Sequence, residues 1–194
     1  MIADRIINLL LFFCTAGICI SYFRKDGHWN VSYGLKAFRF FTTLSNVLCG
    51  IAGLCVAATL HGADLPYGVW LLKYFGTSTV TVTFLTVMLF LGPAAGYKKM
   101  LSRDSFYMHL LGPLLALISF CFLERQYELT LSLSLLSLVP VFLYGAVYLY
   151  QVVIAENWED FYGYNKNGKW PLSFAAMMVA GVLIGLLLRF LSRL

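Results

Sequence analysis

Charge is scarce in this chain: Asp, Glu, Lys and Arg make up 12% of 194 residues, against roughly 25% in an ordinary soluble domain. That scarcity excludes a water-solvated globule as the main architecture. Metal-ligand spacing is also missing. The five cysteines (Cys14, Cys19, Cys49, Cys55 and Cys121) all lie inside apolar runs without a C-x-x-C pair, so they read as small packing residues. Of three histidines, His28 and His61 fall in loops on opposite sides and only His109 falls within an apolar run, which makes no shared coordination sphere. No haem, flavin, nucleotide or metal signature is present, and no cofactor is expected. The net charge of +5 does not point to nucleic acid. The basic residues sit at the ends of apolar runs, where anionic headgroups and topology account for them, so the bilayer is the expected partner.

What is present is hydrocarbon: 60% of the residues are hydrophobic and the mean hydropathy is +0.79. A bilayer crossing needs about 20 mostly apolar residues. Apolar runs between charged or Gly/Pro/Asn-rich breaks predict helices over residues 5–23, 37–60, 67–92, 104–123, 129–153 and 171–192. The expected fold is an all-α polytopic integral membrane protein, a single six-helix bundle over residues 1–194. The first run lacks a small-residue cleavage pattern before Arg24 and reads as a retained helix. No repeat of about 20 to 50 residues and no heptad seam is visible. Loops 1, 3 and 5 and the adjoining helix ends carry nine basic residues: Arg24, Lys25, Lys36, Arg39, Lys98, Lys99, Arg103, Lys166 and Lys169. The opposite end carries four, Arg5, Arg125, Arg189 and Arg193, with Lys73 set aside as intrahelical. The positive-inside rule then puts the odd loops in the cytoplasm and both termini outside, in a bacterial inner membrane or another cellular membrane.

Polar groups are costly in hydrocarbon, so their positions carry the functional signal. On helix two, Thr42, Ser45, Asn46, Gly50 and Gly53 recur at spacings of three and four and share one face. That face is either a small-residue helix contact bridged by Asn46 or the wall of a site. On helix four, His109, Gly112, Ala116 and Ser119 likewise share a face. His109 is either bonded to a neighbouring helix or placed to take a proton from a hydroxyl. Helices two and four run in the same direction, and at about 1.5 Å per residue Thr42 and His109 both lie roughly 6 to 9 Å into the same leaflet. Loop 5 is the longest and most aromatic, and its Asn157, Glu159, Asp160 or Tyr162 could orient the histidine or cap a cavity. A threonine activated by a histidine beneath an aromatic lid suits an acyl substrate lying in the leaflet. The threonines of helix three are expected to bond back to their own backbone. Lys73 is expected to snorkel to the surface, and Glu124, Arg125 and Glu128 to form a solvated loop.

The strings FRFFTTLSNVL on helix two and HLLGPLL on helix four resemble the family of six-helix membrane proteins that includes androgen-induced protein and the androgen-dependent TFPI-regulating protein. The resemblance implies a threonine hydrolase that cleaves fatty acid esters of hydroxy fatty acids within the membrane. By motif position Thr42 would be the nucleophile and His109 the base, with Ser45 and Asn46 as polar neighbours; Asp160 is expected in support only through the position of loop 5, which shares no more than aromatic character with the family. Thr43 is the competing nucleophile. Adjacent helical residues are rotated by about 100°, so at most one of the two points fully at His109, and Thr42 shares the face of Asn46. A related group pairs a similar histidine with a cysteine for phospholipid acyl transfer, but Cys49 lies about 10 Å further along the axis. The alternatives are a small transporter, channel or lipid-binding protein with a polar pathway lined by helices two to four, and a structural subunit whose polar face is covered without a cavity.

Overall fold

The computed structural model describes residues 2–59 and 64–194. Among these described residues, six helices are long and apolar enough to cross a membrane: α1 (Ile2–Ser21), α2 (Phe41–Thr59), α3 (Tyr67–Ala95), α4 (Asp104–Leu123), α5 (Leu131–Ile154) and α6 (Trp170–Leu191). The expected end of helix two at residue 60 and the loop position of His61 lie outside the described residues. The outward surface is apolar, with Phe13 62%, Leu143 59% and Phe190 61% exposed on three different helices. Contiguous apolar exposure of this kind is costly in water and suits a hydrocarbon solvent.

α3 is the central helix, touching α2, α4, α5 and α6, while α1 packs on α2 and α4. Its hydroxyls explain how a polar helix occupies the centre. Ser78 and Thr79 donate to the Phe75 carbonyl and Thr81 to that of Thr77, as expected. These three hydroxyls therefore carry their own partners into the interior, whereas Thr77 Oγ1 is buried without a hydrogen-bond partner. Thr83 departs from the pattern and bonds across to Ser45 Oγ at 3.0 Å. Close helix contacts rest on missing side chains: a Cβ at Gly53 of α2 would lie 2.8 Å from the Asn8 carbonyl oxygen of α1. The expected single face of helix two is in fact divided. Gly50 and Gly53 meet α1, Ser45 meets α3 and Asn46 meets α4.

Three local features depart from the sequence expectations. Loop 1 contains a two-stranded antiparallel ladder, β1 (Arg24–Lys25) with β2 (His28–Trp29), so the fold is not purely helical. Asp26 and Gly27 turn it with φ of 52° and 82°, and Asp-Gly is a strong short-range hairpin signal. Helix two starts at Phe41, not residue 37, because Lys36–Arg39 forms a separate 3-10 turn and Phe40 is extended at φ −88° and ψ 134°. The helices also widen in places: Val87–Leu91 in α3 and Tyr107–Leu111 in α4 follow the π pattern.

Both of these widened turns end on Gly-Pro, and together they form one device used twice. Gly92 N–H bonds to the Val87 carbonyl and Gly112 N–H to that of Tyr107, each five residues back. In that register the carbonyls of Met88 and Met108 would face Pro93 and Pro113, which have no N–H to give. Each orphan carbonyl is taken by a side chain from elsewhere: Tyr97 Oη donates to Met88 at 2.7 Å, and Asn46 Nδ2 to Met108 at 3.0 Å. The sequence signal was Met-x-x-x-Gly-Pro, which occurs at residues 88–93 and again at 108–113. Asn46 and Pro113 should therefore be energetically coupled. Asn46→Ala should cost about 1–3 kcal/mol, the range for a buried polar group left unsatisfied. In a Pro113→Ala background a backbone N–H becomes available and the cost should fall by about half. A double-mutant cycle read by denaturant unfolding in detergent tests it, and strictly additive effects would refute the coupling.

At the end of the bundle that holds the termini and loops 2 and 4, five buried polar side chains meet: Asp4, Asn8, Lys73, Ser119 and Glu124. This corrects two expectations. Lys73 does not snorkel, because its ammonium is fully buried and hydrogen-bonds to Asn8 Oδ1 and, at 3.2 Å, to Ser119 Oγ. Glu124 is not solvated, since it is 3% exposed with Oε1 placed 3.4 Å from Lys73 Nζ. Burying one charge beside its opposite recovers much of the desolvation cost that either would meet alone. Arg125 and Glu128 remain nearer the surface, with Glu128 paired to Arg193 at 2.6 Å.

Candidate functional site

The opposite end of the bundle, at loops 1, 3 and 5, holds a cavity of about 300 Å³ bounded by α2, α3, α5, α6 and loop 5. Thr42 stands on its wall with Phe41. Thr83 and Thr86 face it from α3, Tyr144 from α5, and Ser173 and Met177 from α6. The rest of the lining is mainly aliphatic and aromatic. A neighbouring apolar groove of about 320 Å³ between α2 and α5 shares Phe41 and Tyr144 with the cavity and includes Ser45, Leu48 and Leu143.

Loop 5 forms the cap, through Tyr162, Gly163 and Tyr164. Its shape is set by Asp160. One carboxylate oxygen accepts from Tyr148 Oη at 2.9 Å and from Tyr164 N–H at 2.8 Å, and the other accepts from Asn165 N–H at 2.8 Å. Phe161 and Tyr162 pack on the Tyr148 ring with centroids 5.0 and 5.3 Å away. Tyr162 then does what no neighbour in sequence does for α2. Helix starts leave N–H groups unpaired, and Phe40 has no side-chain acceptor to offer, so Phe41 N–H donates to Tyr162 Oη at 3.0 Å. Tyr144, also on the cavity wall, donates its hydroxyl to the Arg39 carbonyl at 2.7 Å. Burial pushes the Tyr162 phenol up, and the Phe41 N–H pulls against it. Burial likewise pushes Tyr164 up to about 12. Both phenols are therefore neutral at physiological pH and act as hydrogen-bond groups rather than as bases.

The expected site residues take distinct places. Thr42 is half-buried on the cavity, while Thr43 is buried and is not part of its lining. Ser45 donates to the Thr42 carbonyl at 3.0 Å, and Asn46 Nδ2 donates to the same carbonyl at 2.8 Å. Asn46 thus ties the start of α2 to Met108, the residue preceding His109. His109 is half-buried, and its Nδ1 lies 2.7 Å from the Met100 carbonyl of loop 3. A carbonyl only accepts, so Nδ1 carries a proton, and in the neutral form of the ring Nε2 is the lone-pair nitrogen. The group orienting the histidine is therefore Met100, not a loop-5 side chain or a neighbouring helix. Asp160 acts instead on the cap. Thr42 and His109 share no hydrogen bond among the described residues, and His109 is not in the lining of the cavity.

No protein-family model matches the chain, and no curated protein or solved structure matches it either.

The arrangement can therefore enclose an apolar chain, present threonine hydroxyls from α2 and α3 to it, and hold its polar end near phenols and the start of α2. No group of three or more His, Cys, Asp or Glu side chains is placed to hold a metal among the described residues. Thr42 and the aromatic loop 5, both singled out in the sequence, border the cavity; the threonines of helix three read there as backbone-bonded groups or as the lining of a pathway, and Thr83 and Thr86 do line the cavity, whereas no local motif pointed to Tyr144.

Proposed function

We propose that this chain is a polytopic integral membrane protein, with its odd loops cytoplasmic, that hydrolyses fatty acyl esters drawn from the surrounding leaflet. The observation that carries the reading is the position of Thr42 on the wall of a lateral, largely apolar cavity under the loop-5 cap. A volume of about 300 Å³ lies at the lower end of small-molecule sites, and the α2–α5 groove supplies a route for an acyl chain from lipid. Fatty acid esters of hydroxy fatty acids would lay an acyl chain against the apolar lining, with their free carboxylate outside it, because no basic side chain among the described residues lines the cavity. Thr42 Oγ would attack the ester carbonyl while His109 Nε2 takes its proton. The alcohol leaves with a proton, and water then releases the acid from the acyl-threonine. Catalytic hydrogen bonds commonly tighten only with substrate in place, and the Asn46 bridge keeps the two helices in register for that closure.

The test is ester hydrolysis by purified protein in detergent on a panel of fatty acyl esters. Thr42→Ala and His109→Ala should each lose about 10²–10⁴-fold in turnover, the range for removing an acid–base or nucleophilic group. Thr43→Ala should retain activity within a few-fold. Turnover that survives both Thr42→Ala and His109→Ala would overturn the mechanism. Stoichiometric retention of a labelled fatty acid with no turnover of any ester would favour lipid binding, the reading that the cavity supports without the histidine.

A further inference from the structure

The cluster at the other end of the bundle has a surplus of acceptors. Ser119 has one hydroxyl proton, yet its Oγ lies 2.8 Å from Asp4 Oδ1 and is also bonded to Glu124 Oε1. Asn8 has two amide protons, yet Nδ2 stands 3.0 Å from Asp4 Oδ1, 2.9 Å from Glu124 Oε1, 3.1 Å from the Asp4 carbonyl and 3.0 Å from Ser119 Oγ. Two carboxylates therefore converge on the same hydroxyl and the same amide, which cannot serve both fully. Lys73 offers one positive charge against two negative ones. Uncompensated charge buried this deeply is expensive, and binding a proton is the cheapest way to remove it.

A second observation points outward. Glu124 Oε2 is buried without any hydrogen-bond partner. Its side chain lines a cavity of about 160 Å³ together with Trp70, Phe120, Arg125, Tyr127 and Arg193, which is room for several waters. Glu124 thus belongs both to the closed network, through Oε1, and to the cavity wall.

We propose that Asp4, Asn8, Lys73, Ser119 and Glu124 form a proton-binding site, loaded from the even-loop face through the cavity at Glu124. Hydronium in the cavity gives up its proton to the Asp4–Glu124 pair and leaves as water, and the cluster goes from a net charge of −1 to neutral. The added hydrogen supplies the donor that the two carboxyls lack. The other charged and titratable groups facing the site do not replace it. On α2 and α4 the nearby Cys49 and Cys121 are free, buried cysteines and supply no positive charge. Arg125 turns its guanidinium over the Phe122 ring at 5.3 Å, Arg193 is paired with Glu128, and Arg5 on α1 is exposed. The site lies at the opposite end of the bundle from Thr42, so it stands or falls independently of the hydrolase reading.

Infrared difference spectroscopy of the purified protein in lipid nanodiscs tests it directly. At neutral pH the wild type should show the carbonyl stretch of a protonated carboxylic acid, and the band should shift in heavy water. Asp4→Asn and Glu124→Gln each leave one carboxylate against one ammonium, so each should abolish the band. Absence of the band in the wild type overturns the proposal without recourse to any variant. Persistence of the band in both variants overturns it as well, by placing the proton elsewhere. Loss of the band on adding sodium at constant pH would reassign the site to a monovalent cation and overturn it too.

Discussion

Replacing Lys73 by methionine should destabilise the fold by about 3–5 kcal/mol, the cost of breaking a buried ion pair by removing one partner. The substitution takes the ammonium away from Asn8, Ser119 and Glu124 together. It leaves two carboxyls to be accommodated by protonation alone. The loss should therefore be greatest at alkaline pH, where keeping both carboxyls neutral costs most, and should shrink as the pH falls. Combining Lys73→Met with Glu124→Gln should recover a substantial part of the stability, because one carboxyl then remains and a single proton neutralises it. Denaturant unfolding across pH measures all three variants. A pH-independent loss, or a double variant no better than the single, would show that the lysine contributes packing volume rather than charge.

The second large effect is steric. Gly185 of α6 lies against the start of α5, where an added Cβ would run into the Ser134 carbonyl oxygen and sit 2.6 Å from Ser137 Oγ. Backbone cannot yield as a flexible side chain does, and Ser137 Oγ already holds the two helices together through the Gly181 carbonyl at 2.9 Å. Gly185→Leu should cost about 3 kcal/mol or more, at or above the upper end of the usual overpacking penalty. The same movement would displace Ser173, Met177 and Ala180 on the cavity wall, so acyl-chain binding should weaken with stability. Gly17→Ala is the matched control. Nothing lies within 4 Å of the Cβ it would gain, and removing a helical glycine should stabilise by roughly 0.5–1 kcal/mol. Equal effects at the two positions would refute the close α5–α6 contact.

The six helices were legible because apolar run length is a one-dimensional property, and the residues between Tyr67 and Ala95 or Asp104 and Leu123 read the same alone or packed. Helix faces were less legible. A spacing of three and four says that Thr42, Ser45, Asn46 and Gly53 lie close around α2, but not that they meet four different surroundings. The true start of α2 was hidden because its cap, Tyr162, lies 121 residues away from Phe41. The buried cluster was hidden for the same reason. Asn8 and Glu124 are 116 residues apart, and an isolated lysine near a helix end reads as a snorkelling side chain until its partners are known. Two missed signals were local: Asp26-Gly27 in loop 1 and the repeated Met-x-x-x-Gly-Pro. At the candidate site, chemistry on single side chains was legible and its geometry was not, since the ring bond of His109 goes to a backbone carbonyl that any residue at position 100 could supply.

The charged cluster also fixes an order of events during synthesis. Asp4 and Asn8 arrive with the first helix and Lys73 with the third, but Ser119 and Glu124 emerge only at the end of the fourth. Until then the lysine lacks Glu124, and the amide of Asn8 lacks two of its acceptors. The first three helices therefore form a provisional set that the fourth locks into register. A chain that ends before residue 119 has a central helix whose lysine still lacks its Ser119 and Glu124 partners.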